Sequence, residues 1–328
     1  MNLDYSFPPN GGRARAIDLH VRRSLADSLQ HIAEQSRGII HFDEAALAEL
    51  IAGLRQGYRY PPSVFGMYFE LALALMERRE QEAAGLFGRL CEEPPIAERF
   101  RVVALGAPEI ARHGERYAAL MDTDPTLSLT ICPPAAEVEQ RFRERFQRGY
   151  ALLEKAIPEL ADEFSSLVSE VCIVVGDEKA TMQFDGGSSY MLWGGLFLNA
   201  TSHDTDVAMV EVLAHESAHS LLFGYTTEEV LVRNPDEELY DSPLRTDPRP
   251  MDGIYHATYV SARMHWAMSR LLAAGILDEA ARSQAAAARE ADRRNFMAGW
   301  EVVNKHGQLS DTGQAVMQEA ASYMGSAA

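Results

Sequence analysis

Cysteine is scarce in this chain and too dispersed to act in concert. Its three thiols, Cys91, Cys132 and Cys172, form no CxxC arrangement, so neither a disulfide framework nor a thiolate zinc site is expected, and reduced core thiols are. Long apolar runs are missing too. Nowhere do about 18 apolar residues follow one another, and the opening Met1–Pro9 lacks a basic stretch leading into an apolar one. No membrane partner and no secretory signal are therefore expected, and a cytoplasmic protein is. Basic charge is in short supply as well: 30 Lys and Arg stand against 48 Asp and Glu, a formal charge of −18, with no long basic block. A protein that neutralises phosphates needs a basic face, so nucleic acid is not an expected partner and the acidity reads as solubility. Internal repeats, a phosphate-binding glycine loop and a Ser/His/Asp arrangement are all lacking, and Gly186-Gly187 and Gly194-Gly195 read as turns.

What is present is ordinary globular material. The chain is 47 % hydrophobic with a mean hydropathy of −0.19, and its 328 residues suffice for one large domain or two. The first half reads as helices over roughly 17–36, 43–56, 64–82 and 135–168, parted by Arg37-Gly38, Pro61-Pro62, Pro94-Pro95 and Pro133-Pro134. Pro158 should kink or divide the longest of them. Apolar residues surround the Phe65–Met76 segment, which predicts an interior helix with Met67 and Met76 as core filler.

Near residue 169 the character changes. Glu170–Val175, Thr181–Phe184, Tyr190–Trp193 and Gly195–Asn199 are short, rich in β-branched or aromatic residues and punctuated by glycine, which predicts three or four antiparallel strands. Their edge could take up an extended peptide as a further strand, or the strands could simply cover the helix that follows. Asp278–Lys305 and a stretch from Asp311 to about Tyr323 read as closing helices. The expected fold is α+β, mostly helical, with a small antiparallel sheet beside a motif-bearing helix. It divides into a helical N-terminal region, 1–168, and a catalytic region, 169–328, or folds as one compact domain.

The motif is His215-Glu216-Ser217-Ala218-His219, an HExxH run. On an α-helix, positions i and i+4 share a face, so two imidazoles can converge on one metal ion with Glu216 beside them. Asp204, Thr205 and Asp206 offer N-cap and first-turn residues, Val207, Val210, Leu213 and Ala214 form an apolar series, and Gly224 offers a stop. A histidine pair in such a helix needs polar partners or a metal, since an unsatisfied buried ring costs on the order of 1–3 kcal/mol.

The third ligand comes from elsewhere. The continuation HExxHxxGxxH fails, with Leu222 in place of the glycine and Tyr225 in place of the third histidine. Glu228, Glu229, Glu237 and Glu238 lie in a polar, Pro-containing stretch and read as solvated charges. His256 is the better candidate, because it opens a helix on the far side of the constrained loop Ser242–Gly253. His265, nine positions on, falls on another face, and His20, His31, His41, His113, His203 and His306 have no partner spacing.

HESAH, then Tyr-x-Ser-Pro-x-Arg-x-Asp-x-Arg-Pro at Tyr240–Pro250, then a histidine at the head of a helix, resembles the HExxH-type peptide-modification proteins encoded beside ribosomally made peptide natural products. The likeness covers about residues 211–265. It implies an iron(II)- and 2-oxoglutarate-dependent oxygenase that β-hydroxylates residues of a precursor peptide. Such chemistry needs three protein ligands on one face of Fe(II), a set that His215, His219 and His256 would supply. The co-substrate's distal carboxylate calls for a guanidinium. Arg249 stands first, its backbone held by Pro248 and Pro250, followed by Arg245 and Arg263. The alternative is a zinc metallopeptidase of the zincin kind, in which Glu216 takes a proton from metal-bound water. The helical half could grip a leader segment of the precursor, form a homodimer contact or buttress the site.

Overall fold

The computed structural model describes residues 4–122, 130–177, 184–242 and 247–327, and its fold is α+β, mostly helical, with eleven α-helices among the described residues. In chain order come α1 (Gly11–Ser36), α2 (Glu44–Gln56), α3 (Pro62–Met76), α4 (Glu80–Cys91), β1 (Arg101–Ala104), α5 (Gly114–Met121) and β2 (Ile131–Cys132). Next are α6 (Ala136–Ala156), α7 (Pro158–Leu167), β3 (Glu170–Gly176), β4 (Gly186–Ser188), β5 (Gly195–Asn199) and α8 (Asp206–Tyr225). The strands β6 (Leu239–Tyr240) and β7 (Arg249–Pro250) precede α9 (Met251–Ala273), α10 (Glu279–His306) and α11 (Asp311–Ser326). Pro158 divides α6 from α7, as a ring without an N–H must. Among the described residues no helix is long and apolar enough to cross a bilayer.

Two compact units emerge, one of residues 1–14, 144–164 and 203–328, the other of residues 15–143 and 165–202. The strand-rich stretch 169–202, grouped with the histidine helix in the sequence reading, thus clusters with the helical first half instead.

In the unit that holds the sheet, the five strands run in the order β1-β3-β5-β4, with β2 pairing β3. The sheet is mixed rather than antiparallel. β3 lies parallel to β1 (Val102 opposite Val171) and to β5 (Cys172 opposite Phe197), while β4 and β2 pair antiparallel with β5 and β3. Parallel neighbours need long crossovers, and here α5, β2, α6 and α7 stand between β1 and β3 in sequence. β3 is buried from Glu170 to Val174, the signature of a central strand. Its Glu170 carboxylate accepts from Tyr117 Oη and Arg101 Nε, each at 2.7 Å. The expected strand at 181–184 lies mostly outside the described residues, and Tyr190–Leu192 is a 3-10 turn. Within α3, Met67 is fully buried, but Met76, on the last turn, is 80 % exposed and is not core filler. All three cysteines are free thiols, Cys172 buried and the others half-buried.

The other unit is built around α8 and α9. α8 is buried on nearly every side, and α9 packs against both α8 and α10. Among this unit's close approaches that require glycine, two lie between helices. A Cβ on Gly149 of α6 would stand 2.4 Å from Met209 Cγ on α8, and one on Gly299 of α10 would stand 2.2 Å from Thr258 Oγ1 on α9. At α11 the cap is Ser310, whose hydroxyl accepts from Gly313 N, and Asp311 supplies first-turn charge rather than the cap.

Candidate metal centre

α8 starts where Thr205 leaves extended backbone: its Oγ1 accepts from Ala208 N at 3.0 Å, and Asp206 favours the positive end of the helix. The helix passes Gly224 and ends at Tyr225. His215 and His219 therefore sit one turn apart, in its second half, with their Nε2 atoms 3.1 Å from each other. His215 is half-buried, its side chain 33 % exposed, and Glu216 is buried with Oε1 3.8 Å from His215 Nε2. Glu216 is thus beside the pair, as the spacing predicts.

His256 comes from α9. Because that helix begins at Met251, directly after β7, His256 occupies its second turn rather than its head. The ring is 7 % exposed and stacks on His219 at 17°, with the two Nδ1 atoms 3.1 Å apart. Phe223 packs near both rings, its centroid 6.5 Å from that of His219 and 5.4 Å from that of His256.

His219 is consequently the middle of a chain of three imidazoles. A neutral imidazole has one N–H and one lone pair. His215 Nε2 can therefore donate to His219 Nε2 while His219 Nδ1 donates to His256 Nδ1. His256 meets His219 on the nitrogen that a ring bound through Nε2 turns away from its metal, where an orienting partner belongs. This differs from the expectation of three rings aimed at one point. Among the described residues, no group of three His, Cys, Asp or Glu side chains is arranged to hold an ion. The i, i+4 rule determines where two rings on one helix go, but the torsions of a ring from a second helix are set by packing.

The chemistry of the donors nonetheless suits a first-row divalent metal. Burial pushes His215 down to about 4, with the charge of His203 adding to the effect. Burial first, then the flanking histidines, holds His219 well below the usual range. Burial lowers His256 as well, against the opposing pull of Asp252. All three imidazoles are thus kept neutral, the form that binds metal.

The arginine candidates separate. Arg249 lies in β7 opposite Tyr240 of β6, and its Nε pairs with Asp247 Oδ2 at 2.7 Å. Arg245 lies outside the described residues. Arg263 is 1 % exposed; its Nη1 donates to Phe7 O at 2.6 Å and its Nη2 pairs with Glu163, whose other oxygen accepts from Arg13 Nη2 and Asn10 N at 2.8 Å each. A guanidinium closed in this way belongs to a core ion-pair network and is not offered to a small molecule. The acidic residues set aside as solvated behave accordingly: Glu229 pairs with Arg233 at 2.7 Å and Glu238 accepts from Tyr240 Oη at 2.7 Å. His265 is a satisfied core residue, its Nδ1 2.9 Å from Tyr323 Oη.

Two groups in this unit, Glu211 and Asp292, carry no role in the sequence analysis, and a third, His203, is set aside there for want of partner spacing. Glu211, four residues before His215 and so on its face of α8, is pushed up by burial. Asp292 of α10 is 2 % exposed, its Oδ2 has no hydrogen-bond partner among the described residues, and burial followed by the charge of Glu211 pushes it up to about 8. His203, whose charge reaches His215, holds a left-handed backbone with φ 60° in the loop before α8. The spacing to His215 could have singled out Glu211; an aspartate in an Ala/Arg/Glu-rich helix carries no such signal. No protein-family model matches the chain, and no curated protein matches its sequence.

Proposed function

We propose that the protein is an iron(II)- and 2-oxoglutarate-dependent oxygenase that hydroxylates the β-carbon of a residue in a ribosomally made precursor peptide. The observation that carries this reading is the contact of three neutral imidazoles from two helices, with an arginine in the strand that leads into the second. His215 and His219 would hold the iron through Nε2, and His256, the third donor that the sequence suggests, stands at His219 Nδ1, where it would orient that ring. The bound iron supplies the oxidation, in which 2-oxoglutarate and O₂ become succinate and CO₂ while one oxygen atom enters a C–H bond of the peptide.

The chain's own residues do the rest. Burial keeps protons off the ring nitrogens and so holds the donors ready. Phe223 lends an apolar wall beside His219 and His256, which limits water there. Arg249 offers a planar fork to the distal carboxylate of the co-substrate, which would compete with Asp247 for it. The flanking Pro248 and Pro250 restrict the backbone that aims this side chain.

The test is to load purified protein anaerobically with Fe(II), then add 2-oxoglutarate, air and a short precursor peptide encoded beside its gene. A one-oxygen mass gain matched by succinate release is expected, and its absence with such a peptide would sink the proposal. A second reading, a zinc peptidase, is favoured by the buried Glu216 carboxylate 3.8 Å from His215 Nε2. It calls instead for zinc-dependent cleavage of the peptide that Glu216→Gln abolishes.

A further inference from the structure

The arginines of this acidic chain are commonly matched by carboxylates, as Arg22 is by Asp18, Arg101 by Glu170 and Arg116 by Glu70. One cavity departs from that habit. It lies among α9, α10 and α11, has a volume of about 420 Å³, and is lined by Arg270, Arg289 and Arg293 together with His265, Trp266 and Tyr323. It is separate from the imidazole chain: His265 is nine residues along α9 from His256, about 13 Å by the rise of a helix.

Arg289 and Arg293 are four apart on α10 and so share a face. Neither has a carboxylate partner among the described residues; Arg293 reaches only the Ala327 carbonyl, at 3.5 Å. Arg270 lies over the Trp266 ring at 5.8 Å and is met by Glu159 at 3.1 Å. Glu290 also lines the cavity, and Arg294 stands 3.6 Å from it. Ser269, Ser326 and Tyr323 also line it, with the Ser326 hydroxyl donating to Tyr323 O at 2.8 Å and Tyr323 Oη standing 2.9 Å from His265 Nδ1. The positive field is felt inside: after burial, Arg289 and Arg293 are what disfavour a proton on His265.

We infer that this cavity binds a phosphate-bearing small molecule. Guanidiniums from two helices suit a tetrahedral dianion, which takes donors from several directions. The volume exceeds what a phosphate group fills, and Trp266 gives an apolar surface for the organic part.

The full chain would be titrated calorimetrically, at constant ionic strength, with inorganic phosphate, phenyl phosphate and succinate. Saturable binding of phosphate and tighter binding of phenyl phosphate are expected. Arg289→Gln combined with Arg293→Gln should weaken both by about tenfold or more, without lowering the melting temperature, since both residues lie at the surface of α10. Arg289→Gln alone should give a smaller loss in the same direction. His256→Ala should leave phosphate binding unchanged. The inference is overturned if neither phosphate saturates by about 10 mM, if the double variant binds as the parent does, or if succinate matches phosphate.

Discussion

α9 carries two buried polar side chains two turns apart, and they have opposite surroundings. Around Arg263 charge is closed: two guanidiniums pair with one carboxylate behind a surface that admits almost no water, and backbone groups take further bonds, with Arg13 Nε alone in this set lacking a partner among the described residues. Around His256 the contacts are mostly between uncharged rings: the imidazoles meet one another and Phe223, Glu216 stands 3.8 Å from His215, and burial lowers His256 against the pull of Asp252. A closed ionic set resists both opening and a newcomer, whereas neutral imidazoles can exchange a hydrogen bond for a cation. One helix thus serves as a structural rivet at one level and, in the proposed function, carries a metal-site histidine at another.

The comparison can be broken at its open end first. His219→Ala removes the middle ring and should abolish iron binding and hydroxylation, by about a hundredfold or more, while the fold survives; metal content and turnover check it. His256→Ala discriminates further, since a ring that only orients His219 costs about 10–100-fold in metal affinity, and a true ligand costs the ion itself. At the closed end, Glu163→Ala leaves Arg13 and Arg263 buried without their counter-charge and should destabilise this unit by roughly 3–5 kcal/mol, read by chemical denaturation. Equal stability in that variant would remove the rivet from the picture.

Asp292 offers an intermediate case, a buried carboxyl with no ion pair among the described residues. Its folded-state value of about 8 lies above the ordinary 3.8, so between those values the folded chain holds a proton that the unfolded chain has released. Stability should therefore fall as pH rises from about 4 towards 8. Asp292→Asn should flatten that slope and stabilise the protein at pH 8 by roughly 1–3 kcal/mol, as thermal melts across pH would show. The smallest effect belongs to the cap that seats the histidine helix: Thr205→Ala should cost about 1 kcal/mol and leave metal binding intact.

Much of the local structure was legible because local rules govern it. Asp43 before α2, Thr205 before α8, Asp278 before α10 and Pro158 between α6 and α7 mark helix limits by hydrogen-bonding capacity alone. The same locality made the His215–His219 pair readable and set Glu216 beside it. The sheet was legible only in part. β1 and β2, four and two residues long, have too few positions to show a period, and their pairing with β3 depends on partners dozens of residues away. Arg263 was misread for a related reason, since its two-turn spacing from His256 is visible in the sequence while the arrival of Glu163 and Phe7 is not.

What the amino-acid order by itself determined is a helix bearing two imidazoles and a carboxylate at one turn's spacing, because backbone geometry repeats every 3.6 residues whatever lies around it. The tertiary structure alone decided which nitrogen of His219 meets His256, which arginine is locked into the core and which aspartate is buried with an oxygen that has no partner among the described residues. Those outcomes follow from side-chain torsions and burial where distant segments pack together, and neither quantity is a property of any short stretch of chain.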